Sequence, residues 1–438
     1  MSRVAFLTVV FIVIVFYSSQ HPFAAPSADE KPKGDVTFCK DIAPILQKHC
    51  QECHRTGGIA PMSLQTYAEV RPWAVGIREA VAERKMPPFH AAGPIGRFVE
   101  DPRLTEEEIA TIVEWVAGGA PQGNDANLPP PRRWKSGWKG GSPDLVLAMP
   151  EVFKLHPNRS DDYAFFVLAY HFPEDTWIRG VEVMPGNKEA VHHANVYVIP
   201  PDVNGLPAGR VNQVFDPVTL GAKFMVAWEP GCSPLIQRQG IGTLIPKGSR
   251  FGIQMHYSPS DKELADQTSL GFFFADGHID REARTLYGGT RTLEIPAGAS
   301  KYQVRVERLL PDDALLNGFA CHMHLRGKRF LIRLKRPGGQ AEDIFEVPSY
   351  NPYWQGTYVL TDPVTVPKGT VVEYVATWDN SPLNPLNPDP KQIVRWGDRV
   401  DDEMMDGYVY YVLKNERLGI NVRKGKVEGT SNLGRRQE

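Results

Sequence analysis

A stretch rich in proline and glycine at 124–142 splits this chain into two parts with different apolar periodicity, and that split limits the fold more than any other feature. It contains Pro129-Pro130-Pro131 and Gly140-Gly141 and reads as an interdomain linker. Upstream, over 35–123, the signals are helical. Thr105 is a plausible N-cap with Glu108 completing a capping box. Ile109, Ile112, Val113 and Val116 make one apolar face, and Gly118-Gly119 ends the run. Downstream, short runs of Val, Ile, Phe and Tyr at 163–170, 195–199, 251–257, 271–274, 302–306, 371–378 and 408–412 alternate with Pro, Gly, Asn and Asp. That spacing predicts antiparallel β-sandwiches. Pro-Lys-Gly turns at Pro246 and Pro367, with Pro296-Ala297-Gly298, form a weak repeat that suggests two sandwiches, over 143–289 and 290–420, meeting near Gly288-Gly289. A polar tail is expected at 421–438.

The 438 residues are enough for two or three packed domains. The net charge of -2 and the lack of a long basic run argue against a nucleic-acid partner. At the N-terminus, Arg3 is followed by an apolar run from Val4 to Tyr17 and then by small residues, which predicts a signal peptide over 1–28 and a periplasmic or secreted location. An uncleaved anchor is the alternative. Of five cysteines, Cys50 and Cys53 belong to one motif. Cys39, Cys232 and Cys321 remain, so at most one disulfide can form among them, with Cys232–Cys321 as a candidate.

Residues 50–54 read Cys-Gln-Glu-Cys-His, the attachment signature of a c-type haem: two thiols bind the porphyrin covalently and His54 lies beneath the iron. A thioredoxin-like or zinc pair would share the two cysteines. With a short helix entering the motif at 41–49 and the capped helix downstream, 35–122 resembles class I cytochrome c. That resemblance implies a small all-α haem domain with Met86, in Arg84-Lys85-Met86-Pro87-Pro88, as distal ligand; Met62 is the competitor.

Five of the twelve histidines form three patterns in the β region. His192-His193 are adjacent, and neighbours on a regular strand point to opposite faces, so both reach one ion only at a strand end or bulge. His256 lies in Gln-Met-His-Tyr. His322 and His324, spaced i, i+2, share one face of a strand. Taken in order with Asp402-Glu403-Met404, these motifs resemble the copper type II, ascorbate-dependent monooxygenases over about 143–415. The resemblance implies two jelly-roll-like sandwiches facing across a solvent-filled cleft, each with one copper. His192, His193 and His256 would hold the first ion, and His322, His324 and Met404 the ion where O₂ binds. Met405 competes with Met404, and a thioether favours Cu(I). His156, His171 and His278 match no ligand and are expected to be surface or packing residues.

The implied reaction hydroxylates a C–H bond of a small organic or peptide-like substrate with O₂, using an ascorbate-like reductant or redox protein as external donor. The haem would relay electrons to the histidine-only copper. The alternative is an electron-transfer or copper-handling protein without hydroxylase activity. Ala320 stands where the peptide-hydroxylating members carry a substrate-gripping arginine and Asp406 where they carry asparagine, while Tyr408 keeps their tyrosine. Those departures disfavour a substrate held by its carboxylate.

Overall fold

The computed structural model describes residues 36–428 apart from 135–136, 158–161, 212–215, 218 and 259. The signal-like segment at 1–28 lies outside the described residues.

The first part is helical. A π turn, Phe38–Ile42, runs into helix Ala43–His49, which has proline in its first turn. Short helix Tyr67–Val70, helix Ala74–Ala82 and helix Glu106–Ala117 follow. The last is capped as the sequence predicts. Thr105 Oγ1 accepts from Glu108 N at 3.1 Å, and the Glu108 carboxylate accepts from Thr105 N at 2.8 Å. Such a cap contributes about 1 kcal/mol. Ile112 faces the core and Ile109 and Val116 flank it, but the centre of that face is Trp115, fully buried beside Phe38.

The remainder is β-sheet. In the first sandwich one sheet runs, edge to edge, Gly209–Val211, Asp162–Val167, Arg250–Tyr257, Val191–Ile199, Lys223–Trp228. The second sandwich pairs the sheet of Arg284–Gly289, Asp406–Leu413, Ala314–His322 and Tyr358–Val366 with that of Tyr302–Leu309, Val371–Trp378, Gly327–Lys335 and Ala341–Val347. Strand Tyr302–Leu309 alternates half-buried and exposed residues, whereas Arg250–Tyr257 is buried almost throughout. The latter pattern marks a strand covered on both faces.

Parity along the strands shows what covers them. Phe166, Val196 and Val198 point into the first sandwich's own core. Phe165, Val167, Tyr197 and Ile199 point the other way and pack with Ala320, Tyr408 and Tyr410 of the second sandwich. Apolar burial therefore joins the two sandwiches face to face.

Two boundaries differ from expectation. Strand Arg284–Gly289 pairs with Asp406–Leu413, so the passage between sandwiches falls at Ala283 rather than Gly288-Gly289. The region expected as a polar tail begins as strand: Ile420–Arg423 returns to pair with Gly277–Glu282 of the first sandwich, because Ile420 and Val422 are apolar and pack beside Trp177 and Ile279. Described residues of the expected linker are bonded to both parts of the chain. Arg132 donates to Gln47 O at 2.7 Å, and the Lys139 and Gly140 amides donate to the Glu182 carboxylate at 2.7 and 2.9 Å.

The helical part is stitched to the second sandwich by the loop after helix Ala74–Ala82. Phe98 and Ala91 enter that sandwich's core. Ala92 N donates to Glu346 O and Val99 N to Val359 O, both at 2.8 Å. Among the described residues no helix is long and apolar enough to cross a membrane.

Candidate metal centre

In the first sandwich His193 stands opposite His256 across the strand pair, and the next pairing is Val191 with Tyr257. His192 is thus an extra residue on its strand, a β-bulge. The bulge removes the geometric objection to adjacent histidines, since it turns His192 to the side already occupied by His193 and His256. Ligand-capable atoms of the three residues lie within 4.8 Å of one another, and the His192 and His256 Nδ1 atoms are 3.1 Å apart. His193 Nε2 is buried with no hydrogen-bond partner among the described residues. Burial first, then the surrounding imidazoles, hold the His193 pKa well below its ordinary value, so the ring is neutral, as a metal ligand must be.

In the second sandwich Phe319, Cys321 and Met323 point into the core, which sends His322 and His324 to the opposite face. Their Nε2 atoms approach to 3.1 Å. Each Nδ1 is engaged elsewhere: His322 Nδ1 donates to Gln355 Oε1, and His324 Nδ1 donates to Asp402 O at 3.1 Å. An acceptor at Nδ1 fixes the tautomer and leaves the two Nε2 lone pairs converging, as metal-ligating histidines are held. Burial lowers both pKa values.

Parity also separates the two methionines. Met405, Val409 and Tyr411 lie in the core, while Met404, Asp406 and Tyr408 line a cavity with His322. His322 pairs with Asp406 as the last pair of that ladder, and Met404, two residues before Asp406, lines the cavity beside His322. Glu403 holds this arrangement. Its carboxylate accepts from His324 N at 2.9 Å, Arg326 N at 2.6 Å and Trp378 Nε1 at 3.0 Å, while burial pushes its pKa up to about 7.

The expected open cleft between the sites is not seen. The His193 and His322 ring centroids are 6.3 Å apart, and Tyr163 stacks on His256 at 4.1 Å while lying 6.2 Å from His324. The apolar interface between the sandwiches draws the two clusters together. Beside them lies a cavity of about 530 Å³. Tyr408, stacked on Phe224 at 4.1 Å, forms part of its wall. So does Arg291, which sequence reasoning missed because it comes from a distant strand end. Arg291 Nη1 donates to Asp406 at 3.0 Å and Nη2 to Asp216 at 2.9 Å, so its charge is shared between two carboxylates. Gln355 and Tyr163 were also missed, as neither sits in a recognisable spacing.

In the helical part Cys50, Cys53 and His54 occupy one turn, with His54 N donating to Cys50 O at 2.9 Å. Both thiols are free. His54 Nδ1 donates to Met62 O at 3.2 Å, which leaves Nε2 available. Free thiols and an oriented imidazole suit a covalently held haem. Met86 is 44% exposed in the loop beyond helix Ala74–Ala82, while Met62 packs against the helical core. Cys232 and Cys321 are also free thiols, so the candidate disulfide is absent. His156, His171 and His278 are exposed.

Glu229 lies buried under the loop at 229–232 with neither carboxylate oxygen hydrogen-bonded among the described residues, and burial holds its pKa well above the ordinary value. A raised folded pKa means stability that is fully present below the unfolded pKa and lost as pH rises toward the folded one. The loss is roughly 1 kcal/mol per pH unit. Glu229→Gln is expected to flatten that slope above the ordinary carboxylate range in urea titrations; an unchanged slope would show that the carboxyl is ionised in the native state.

Residues 303–430 match the family model described as copper type II ascorbate-dependent monooxygenase, C-terminal domain. That match runs over most of the second sandwich and includes its converging imidazoles. Among curated proteins, the chain is 22% identical over 254 residues to a tyramine β-hydroxylase of Caenorhabditis briggsae, covering 53% of this chain and 42% of that one. It is 23% identical over 297 residues to the dopamine β-hydroxylase of Rattus norvegicus, covering 62% and 46%. The chain spans less than half the length of these relatives. Among solved structures, a peptide-N(4)-(N-acetyl-β-D-glucosaminyl)asparagine amidase is similar with a TM-score of 0.27 and 8% identity, covering 63% of this chain and 98% of that one; a likeness that slight carries no argument.

Proposed function

We propose that this chain is an exported copper-dependent monooxygenase that hydroxylates a C–H bond of an organic substrate with O₂ and receives electrons through a c-type haem. His192, His193 and His256 would hold one copper; His322, His324 and Met404 would hold the other. Cys50, Cys53 and His54 would hold the haem, with Met86 as distal ligand. The observation that carries the reading is the convergence of His322 Nε2 and His324 Nε2, both Nδ1 atoms engaged, beside a second imidazole cluster and at the wall of a large cavity. Copper in these sites would supply one-electron redox chemistry and O₂ binding. The protein's own part is to orient the imidazoles, to exclude water by closing the sandwiches, and to position the substrate against Tyr408 and Met404.

Metal analysis tests the reading: one iron and two copper per chain, with substrate hydroxylated in step with O₂ consumption. Peroxide release with every compound tried would favour the electron-transfer alternative instead.

Oxygen reduction also consumes protons, and Asp398 in the cavity wall is placed to give one. Burial pushes its carboxyl up to about 6, Asp216 and Asp406 add to the shift, and Arg291 opposes it. It is protonated below that pH and a carboxylate above it. The rate of O₂ consumption is expected to fall as pH rises through about 6, and Asp398→Asn to remove the inflection. A profile identical in the two proteins would dismiss the residue as a proton source.

A further inference from the structure

We propose that Asp406 decides which substrates the cavity beside His322 accepts: by holding Arg291 it shuts out carboxylates and leaves the cavity to uncharged or cationic compounds. This rests on the reading of that cavity as the substrate site.

Arg291 puts a cation into a wall where Ala320 offers none. It stands just beyond strand Arg284–Gly289 and lines the same cavity as Ala320, His322 and Tyr408. Its guanidinium carbon lies 4.7 Å from the Trp396 ring centroid. By position alone it could grip a carboxylate. Four hydrogen bonds already engage it, however. Nη1 donates to Asp406 Oδ1 at 3.0 Å and to Tyr287 Oη at 2.9 Å, while Nε and Nη2 donate to Asp216 Oδ1 at 3.1 and 2.9 Å. Tyr287 Oη in turn donates to Asp406 Oδ1 at 2.6 Å, which closes the ring of hydrogen bonds. The side chains of Arg291, Asp216 and Asp406 are 24%, 17% and 8% exposed, so solvent and salt screen these charges only in part. One cation between two carboxylates leaves an excess of negative charge.

The other arginine of the wall is held in the same way. Arg284 Nη2 donates to Glu282 Oε2 at 3.0 Å and to Glu416 Oε1 at 2.7 Å. Lys223 also lines the cavity, but it is exposed, and an ammonium in water contributes little to binding an anion. An incoming carboxylate therefore meets guanidiniums that are already neutralised, with Asp398 and Asp406 beside them. A hydroxyl or an ammonium meets no such repulsion. Rejecting one ligand by like charge is as effective a source of specificity as attracting another.

Asp406, rather than Asp216, controls the choice. Asp406 lines the cavity and pairs with His322 across the strands, so a ligand carboxylate entering from the cavity would compete with it for Nη1. Asp216 holds the far edge of the guanidinium and does not line the cavity.

The test is calorimetric titration of the full-length protein with three compounds on one skeleton: phenylpropanol, phenylpropylamine and phenylpropanoate. The copper-loaded protein is kept reduced and free of oxygen, so that no cupric ion attracts the carboxylate. The wild type is expected to bind the alcohol or the amine at least roughly tenfold more tightly than the acid. Asp406→Asn keeps the outline of the side chain and an acceptor for Tyr287 while removing the charge. It is expected to strengthen binding of the acid by roughly tenfold or more, the worth of one hydrogen bond to a charged group, and to leave the alcohol unchanged. Adding Arg291→Gln to Asp406→Asn should abolish that gain. Asp216→Asn is expected to give a smaller gain of the same sign, and it decides the matter if Asp406→Asn does not fold. Binding of the acid by the wild type as tightly as the alcohol overturns the proposal. So does a folded Asp406→Asn protein without a selective gain, or a gain that survives Arg291→Gln. If none of the three compounds binds either the wild type or Asp406→Asn, the cavity is not the substrate site, and the proposal falls with that reading.

Discussion

If the two histidine clusters hold copper as proposed, alanine in place of His193 is expected to remove one of the two ions while leaving the other bound. Its imidazole is almost fully buried opposite His256, with its ring atoms within reach of both His192 and His256. Two rings on a bulged strand end cannot close a three-coordinate site, and the vacated volume lies inside a packed sheet. Losing even a supporting neighbour of a metal site weakens it by roughly 10- to 100-fold, so loss of a ligand is expected to exceed that. The second site keeps His322, His324 and the Glu403 clamp, none of which touches the substituted position through the backbone. Copper per chain is therefore expected to fall from two toward one, with hydroxylation lost. Equal loss of both ions would mean that the clusters, only 6.3 Å apart at His193 and His322, act as one site. Full retention of both would remove His193 from the ligand set.

The logic of this site was partly legible in the sequence. The i, i+2 spacing of His322 and His324 implied a shared face, and strand parity delivers it. The need for a bulge or strand end at His192-His193 was also readable, and the pairing of His193 with His256 shows which of the two occurs. Several strands begin or end within a few residues of their expected limits; 371–378, for instance, coincides with strand Val371–Trp378. What could not be read was the identity of the covering neighbour. An apolar residue announces that it will be buried, not against what. Phe165 and Phe166 are adjacent and equally apolar, yet one joins the interface between sandwiches and the other the first core. The closure of the two clusters, the Gln355 partner of His322 and the return of Ile420–Arg423 all depend on contacts between residues far apart in sequence, for which periodicity carries no signal.

The same limitation hid the anchor of the helical part, and there the expected effect on stability is large. Phe98 lies in a loop with no strand or helix signal, yet it is 2% exposed, with its ring 5.7 Å from that of Tyr358, 5.8 Å from Phe89 and 6.3 Å from Phe345. Deleting a buried ring of this kind costs about 3–5 kcal/mol in lost transfer energy and cavity. The sandwich beneath has its own extensive core and does not need Phe98 to fold. The cost is therefore expected to fall on docking of the loop rather than on global unfolding. Phe98→Ala should raise hydrogen exchange at the Ala92 and Val99 amides, which donate to Glu346 O and Val359 O, by roughly a hundredfold or more. Amides in strand Val371–Trp378 should be unaffected. Val99→Ala is the control, since that side chain is 47% exposed and its truncation should change stability by no more than about 0.5 kcal/mol. Unchanged exchange at Ala92 and Val99 in Phe98→Ala would show that the backbone hydrogen bonds alone keep the loop in place.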